Sequence, residues 1–209
     1  LSISLSLSHT HTHMEMRRLS LFLVLCSIVL AMPAVYGTAQ GPKEVEEWFQ
    51  IQKLRRVKEK VTKLHFYFHQ KLNGENLTAA TVAKANMTDT SPTFFGLVNV
   101  IDNPLTVKPR RSSNEIGRVK GLYAAASLEE VALSCVLNFV FTKGKYNGSS
   151  LSLLGNDPYR LPVREMPIVG GSGVFRLARG VAKFRTYFVG LGAPPQNVTV
   201  EVDIVALHY

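Results

Sequence analysis

The sequence predicts an all-β fold, an antiparallel barrel or sandwich of roughly eight strands, and three observations carry that expectation. The periodicity changes near residue 62, where Leu64, Phe66 and Phe68 alternate with His65, Tyr67 and His69, the two-residue repeat of a strand with one apolar face. From there to Tyr209 the chain is a series of short β-branched and aromatic segments separated by Gly, Asn, Ser and Pro turn signals. In the last of them Val198, Val200, Val202, Ile204 and Ala206 alternate with Thr199, Glu201 and Asp203. That segment is regular enough to pair with the first and remove a sheet edge.

Ahead of the strands, residues 1–13 are a Ser/Leu/His/Thr run that reads as translated leader before Met14 or Met16. Its His9, His11 and His13 belong to that leader and not to a metal tract. Met14-Glu15-Met16-Arg17-Arg18 followed by apolar residues 19–32 is the basic and hydrophobic pattern of a secretory signal peptide, cleaved near Gly37. The apolar run is too short for a comfortable membrane span, so a secreted protein with no membrane association after processing is expected. Residues 38–61 form an arm. Pro42-Lys43-Glu44-Val45-Glu46-Glu47 leads into Ile51, Leu54, Val57 and Val61, with acids early and bases late as a helix dipole favours. The domain organisation is thus 1–37 leader and signal peptide, 38–61 arm and 62–209 the β domain.

Composition narrows the functions. The formal charge is +9, and loss of Arg17, Arg18 and Glu15 with the leader leaves +8. A basic exported protein is drawn to polyanions, with an acidic cell-wall polysaccharide as candidate partner; the export signal argues against nucleic acid. Cys26 leaves with the signal peptide, and Cys135 stands alone in the apolar run Val131-Ala132-Leu133-Ser134-Cys135-Val136-Leu137, a buried small hydrophobe and not a nucleophile. Sequons at Asn76, Asn86, Asn147 and Asn197 mark surface positions and expected N-glycans. His65 and His69 lie about 13 Å apart on the polar face of one strand, too far to share a metal. No metal and no cofactor is expected.

The stretch from Asp157 to Gly180 draws the most attention. Asp157 and Arg164 are followed by Met166-Pro167-Ile168-Val169 and then by Gly170-Gly171-Ser172-Gly173. These glycines lack the Lys-Ser/Thr of a phosphate loop and do not open a helix. They read as a tight corner between two extended segments, and the expectation is that this corner holds Asp157 and Arg164 at the mouth of a cavity.

The ordered motifs His65-Phe66-Tyr67-Phe68-His69, Ile101-Asp102-Asn103-Pro104-Leu105-Thr106, Gly117-Arg118-Val119-Lys120-Gly121-Leu122-Tyr123, Asn138-Phe139-Val140-Phe141-Thr142, Tyr146-Asn147-Gly148-Ser149, Arg164 to Gly173 and Phe175-Arg176-Leu177-Ala178-Arg179-Gly180 resemble a plant dirigent protein over residues 62–209. The resemblance implies an eight-stranded antiparallel β-barrel related to allene oxide cyclase. It also implies a homo-oligomer (trimer favoured, dimer possible) secreted to the apoplast. The implied activity is stereoselective coupling of phenoxy radicals such as those of coniferyl alcohol to optically active lignans. A laccase or peroxidase supplies the radicals, and no intrinsic oxidase activity is implied.

The same resemblance places three polar pocket residues at Asp157, Arg164 and Gln70, the last where the family carries Asp. Gln can hydrogen-bond but cannot exchange a proton near neutrality. With strand parity it implies an apolar pocket wall that includes Phe66, Phe68, Val198 and Val200, and a family Asp becomes Asn103 in a turn. The remaining readings are a dehydratase or cyclase on the same barrel, closing an isoflavonoid ring through a quinone methide, an allene-oxide-cyclase-like isomerase, and a ligand-binding or wall-attached defence protein without turnover.

Overall fold

The structure, a computed structural model, describes residues 42–51, 58–192 and 196–209. The chain divides into two compact units, residues 1–55 and 56–209. The leader, the signal-peptide pattern and residues 52–57 of the expected arm helix lie outside the described residues, and Lys60 and Val61, expected at the end of that arm, belong instead to the first strand. Within the first unit, α1 spans Pro42–Ile51. Glu46 stands in its first half, towards the positive end of the dipole. The Gln50 amide donates to Glu46 one turn back at 2.7 Å. No helix among the described residues is long and apolar enough to cross a membrane.

The second unit is a closed antiparallel barrel. Its strands are β1 (Lys60–Lys71), β2 (Ala79–Ala83), β3 (Val98–Thr106), β4 (Glu115–Ala125), β5 (Leu133–Phe141), β6 (Ser150–Asp157), β7 (Arg164–Ser172), β8 (Arg179–Val189) and β9 (Asn197–His208). The order is β1-β9-β8-β7-β6-β5-β4-β3-β2, and β1 also pairs with β3. Eight strands therefore close the barrel, with β2 as a ninth short strand. The first and last strands pair along their whole length, from Lys60↔His208 to Lys71↔Asn197, as their regular alternation foretold.

Closure uses one edge of β3 twice. β2 covers its first half (Ala79↔Ile101, Ala80↔Val100) and β1 its end (Tyr67↔Thr106, Phe68↔Leu105). Pro104 sits between these two pairings. The Asp102 amide, two residues earlier, points to that side and donates to the Thr78 carbonyl. By alternation the missing Pro104 amide would face the gap, so proline costs no ladder bond here. The sequence does not announce β2, because Ala-Ala-Thr-Val-Ala has little β signature and only Ala79 of it is buried. Asn103 lies inside β3, wholly buried on the interior face, and not in a turn; its neighbours Ile101 and Leu105 carry the strand through the motif.

The interior fills from one end. Phe66 meets Phe139 and Phe141 edge-on at 5.0 and 6.0 Å, and Phe175 packs on Phe141 at 5.6 Å. With Leu105, Val119, Leu151, Ile204 and Ala206, all essentially inaccessible, these rings plug the end formed by the β3–β4, β5–β6 and β7–β8 turns. At the other end the interior positions Gln70, Tyr123, Leu133, Asp157 and Val198 are only partly buried. The interior is packed shut at one end and is partly accessible at the other, which forms a polar-rimmed mouth.

His69 is buried on the outer face of β1. Thr106 Oγ1 donates to the Lys108 carbonyl, so it accepts from His69 Nε2 at 2.7 Å, which leaves Nδ1 to accept from Thr199 Oγ1 at 3.2 Å. Burial, helped by Arg111, pushes this imidazole down to about 4 from 6.5. The unfolded chain takes up that proton at the higher pH, so stability is present above pH 6.5 and is lost as pH falls towards 4. We expect the native protein to lose about 2 kcal/mol more than His69→Gln over that window, on the order of 5 °C in melting temperature. Parallel melts of the two proteins from pH 7 to 4.5 check this; coincident slopes would show that His69 does not titrate in the fold.

Candidate functional site

The mouth is built from the ends of six strands. Antiparallel register sets Leu133 opposite Asp157, Tyr123 opposite Cys135 and Gln70 opposite Val198. Arg164 opens β7 and aims inward. Its Nε stands 2.8 Å from Asp157 Oδ1, with side-chain exposures of 3% and 16%. The contact lacks the alignment of a hydrogen bond, and both atoms have no other bonded partner in the protein. Arg164 is instead anchored by Nη1, which donates to Thr186 Oγ1 at 2.8 Å and to the Leu161 carbonyl at 3.3 Å. The guanidinium is held from behind, and Asp157 is the half of the pair that faces the opening.

The sequence leaves the sign of the Asp157 shift open, and the structure decides it. Burial lifts the carboxyl above the usual carboxylate range, and the opposing pull of Arg164 does not cancel this. A carboxyl so placed keeps its proton to higher pH than one in water and can act as an acid.

Across the mouth Gln70 Nε2 donates to the Tyr123 hydroxyl at 2.7 Å. Burial pushes Tyr123 up to about 12, against the Gln70 bond, and Tyr159 from the 158–163 loop adds a smaller push in the same direction. Tyr123 is therefore a neutral hydroxyl that still has its own proton to donate. Neither Tyr123 nor Tyr159 is singled out by sequence. Tyr123 stands on β4 directly after the Gly121-Leu122 pair, and interior parity with Val119 was the available signal. Cys135, also interior, is buried and its thiol is pushed up to about 12. It is the inert small hydrophobe expected.

Of the expected pocket residues, Gln70 and Val198 line the mouth and Phe68 and Val200 form its floor, paired across β1 and β9. Phe66 does not line it. Two residues further down β1 it is 1% exposed and locked among Phe139 and Phe141, because the same parity that points it inward also carries it into the plug.

The glycine corner does not hold Asp157 and Arg164 at the mouth. β7 runs from Arg164 at the mouth to Ser172 at the plugged end, where Gly173–Phe175 forms a 3-10 turn. The corner is the length of the barrel away from Asp157, and the local spans that position Asp157 and Arg164 are the β6–β7 connection and the Arg164–Thr186 bond. The sequon asparagines are all exposed, Asn76, Asn86 and Asn197 at the mouth end and Asn147 at the plugged end.

Residues 61–207 match the dirigent-like protein family. Dirigent protein 1 of Arabidopsis thaliana is 43% identical over 151 residues, covering 72% of this chain and 80% of its own. Pterocarpan synthase 1 of Glycyrrhiza echinata is 41% identical over 152 residues, covering 72% and 80%. The solved structure of a pterocarpan synthase dirigent protein aligns with a TM-score of 0.66 and 40% identity, over 73% of this chain and 87% of that one. The matched span coincides with the closed barrel and includes every residue of the mouth: the chain belongs to the dirigent family.

Proposed function

We propose that the dirigent-type stereoselective role the chain has by family is exercised on phenoxy radicals of monolignols such as coniferyl alcohol, supplied by a separate laccase or peroxidase, to give optically active lignans. The observation that carries this reading is a desolvated carboxyl, Asp157, presented by a buried arginine at the mouth above the apolar Phe68 and Val200. Flat rings are oriented by the apolar wall, while Tyr123, Gln70 and Tyr159 offer neutral bonds to phenolic and alcohol oxygens. Coupling yields a quinone methide. Asp157 protonates its carbonyl oxygen, a side-chain hydroxyl oxygen attacks the benzylic carbon, and the hydroxyl proton is released to restore Asp157. Among the described residues the interior face of the mouth has one carboxyl, with Gln70 in a hydrogen-bonding role only.

A second reading, ring-closing dehydration through a quinone methide, is favoured by the likeness to the pterocarpan synthases. The test is chiral chromatography of coniferyl alcohol products formed by a laccase with and without the secreted protein. An enantiomeric excess that depends on the protein supports coupling; racemic products with consumption of an isoflavanol in the absence of oxidant support the second reading.

The proposal extends to a secreted, N-glycosylated homo-oligomer in the apoplast. The four exposed sequon asparagines support the glycans. Support for self-association is an apolar row on the outer wall, Val100, Leu122, Val136 and Leu154, adjacent across β3 to β6 and 41–52% exposed. Light scattering of the secreted protein should give a trimer, and Leu122→Glu should shift it to monomer. A wild-type monomer at micromolar concentration would dismiss the assembly.

A further inference from the structure

Charge is segregated between the two ends of the barrel. Among the described residues, the segments at the plugged end (58–60, 107–115, 142–149 and 173–179) hold nine basic side chains and two acidic ones. Both acids are already engaged, Glu59 with Arg179 and Glu115 with Arg111 and Arg118. The connections at the mouth end (71–78, 84–97, 126–132, 158–163, 190–192 and 196) hold three basic and four acidic side chains. The excess positive charge of the barrel is thus directed away from the mouth.

Its densest part is concave. The β3–β4 hairpin carries an open surface cleft of about 510 Å³, where Lys108, Arg110, Ser112, Ser113 and Asn114 stand beside the apolar Val107 and Pro109. The neighbouring β5–β6 turn adds Lys143 and Lys145. It is tied to the hairpin base by the Thr142 amide, which donates to the Ile116 carbonyl at 3.0 Å. All four of these cations are exposed.

The lining selects the class of polyanion. Lysine and arginine with hydroxyl and amide groups between them suit a polymer that alternates carboxylates with hydroxyls. The 107–114 segment has no aromatic side chain on which a base could stack. Its one exposed large apolar side chain is Val107, and the others in the basic segments of this end, Val174 and Leu177, stand on the separate β7–β8 turn, too few and too scattered to enter a bilayer.

We infer that the plugged end of the barrel is a docking surface for a polyuronate, a polysaccharide with a carboxylate on each sugar, which would hold the protein with its mouth turned away from the polymer. The proposal does not depend on which phenol the mouth accepts.

Polygalacturonate immobilised on a sensor surface tests it with the full secreted protein, glycosylated as produced because Asn147 lies on the same turn as Lys145. The wild type should bind at low ionic strength and release as salt approaches ~0.5 M, since the Debye length then falls to a few ångströms. Lys108→Ser/Arg110→Ser/Lys145→Ser should weaken binding on the order of tenfold or more, with unchanged circular dichroism and unchanged product stereochemistry. Lys71→Ser/Lys84→Ser/Arg160→Ser removes the same charge at the mouth end and should leave binding within about twofold. Absent wild-type binding, equal losses in the two triple variants, or equal binding to duplex DNA or to anionic vesicles would each overturn the assignment.

Discussion

Asp157→Asn should abolish stereochemical control. A positioned general acid is worth roughly 10²–10⁴-fold in rate, so uncontrolled closure in solution should outrun the guided path and the chiral product peak should fall to racemic. The substitution also strands Arg164, which is 3% exposed on its side chain. A buried charge without its counter-charge costs about 3–5 kcal/mol, less what the Thr186 and Leu161 bonds retain. A lowered melting temperature is therefore part of the expected result. Asp157→Asn/Arg164→Gln removes both charges and should recover stability while remaining without control. Retained enantiomeric excess in either folded protein would show that Asp157 serves only as the counter-charge of Arg164. The wild type should also lose control as pH rises through the raised carboxyl value, because the acid form is the active one. Gln70→Asp places a second carboxyl beside Tyr123 and should raise activity if a second acid limits turnover.

Gly121→Ala is expected to cost the barrel wall a large part of its stability. Gly121 holds φ +154° on β4, and a Cβ there would lie 2.0 Å from the Val136 carbonyl oxygen of β5. Backbone, not a side-chain tip, blocks the space, so the β4–β5 ladder must open. Gly180 repeats the arrangement at the β8–β9 contact, with φ +151° and the Val205 carbonyl oxygen at 2.0 Å. Such glycines let strands coil tightly enough to close a small barrel. The expected loss is on the order of 3 kcal/mol, roughly 10 °C in melting temperature. A Gly121→Ala protein that melts within 2 °C of wild type would mean that β4 and β5 separate more easily than their register implies.

How much of this was legible in the chain depends on the range of the interaction. Alternation in 64–68 and 198–206 is a local property, and it yields the strands, their inward faces and the pairing of first with last. It also places Gln70, Phe68, Val198 and Val200 on one interior surface. The same parity overreaches at Phe66, since facing inward does not say how deep a plug of aromatic rings extends. β2 was missed because its formation comes from the edge that β3 leaves open and not from its own Ala-rich composition. Asn103 was misplaced because Asn-Pro reads as a turn, whereas the split closure on β3 makes that proline harmless within a strand.

The sequence by itself determined the strand faces and the family likeness over 62–209, because both rest on residue types and short spacings, and it was that likeness which pointed to Asp157, Arg164 and Gln70 as a polar set. Only the tertiary structure decided that the Gly170–Gly173 corner is remote from Asp157, that Tyr123 joins Gln70 and that the basic loops gather at the plugged end. It also decided that burial outweighs Arg164 in setting the Asp157 proton. All four depend on which strand ends share a side of the barrel and on how much water reaches them. Strand direction, register and closure fix both, and those are set by contacts between residues far apart in the chain.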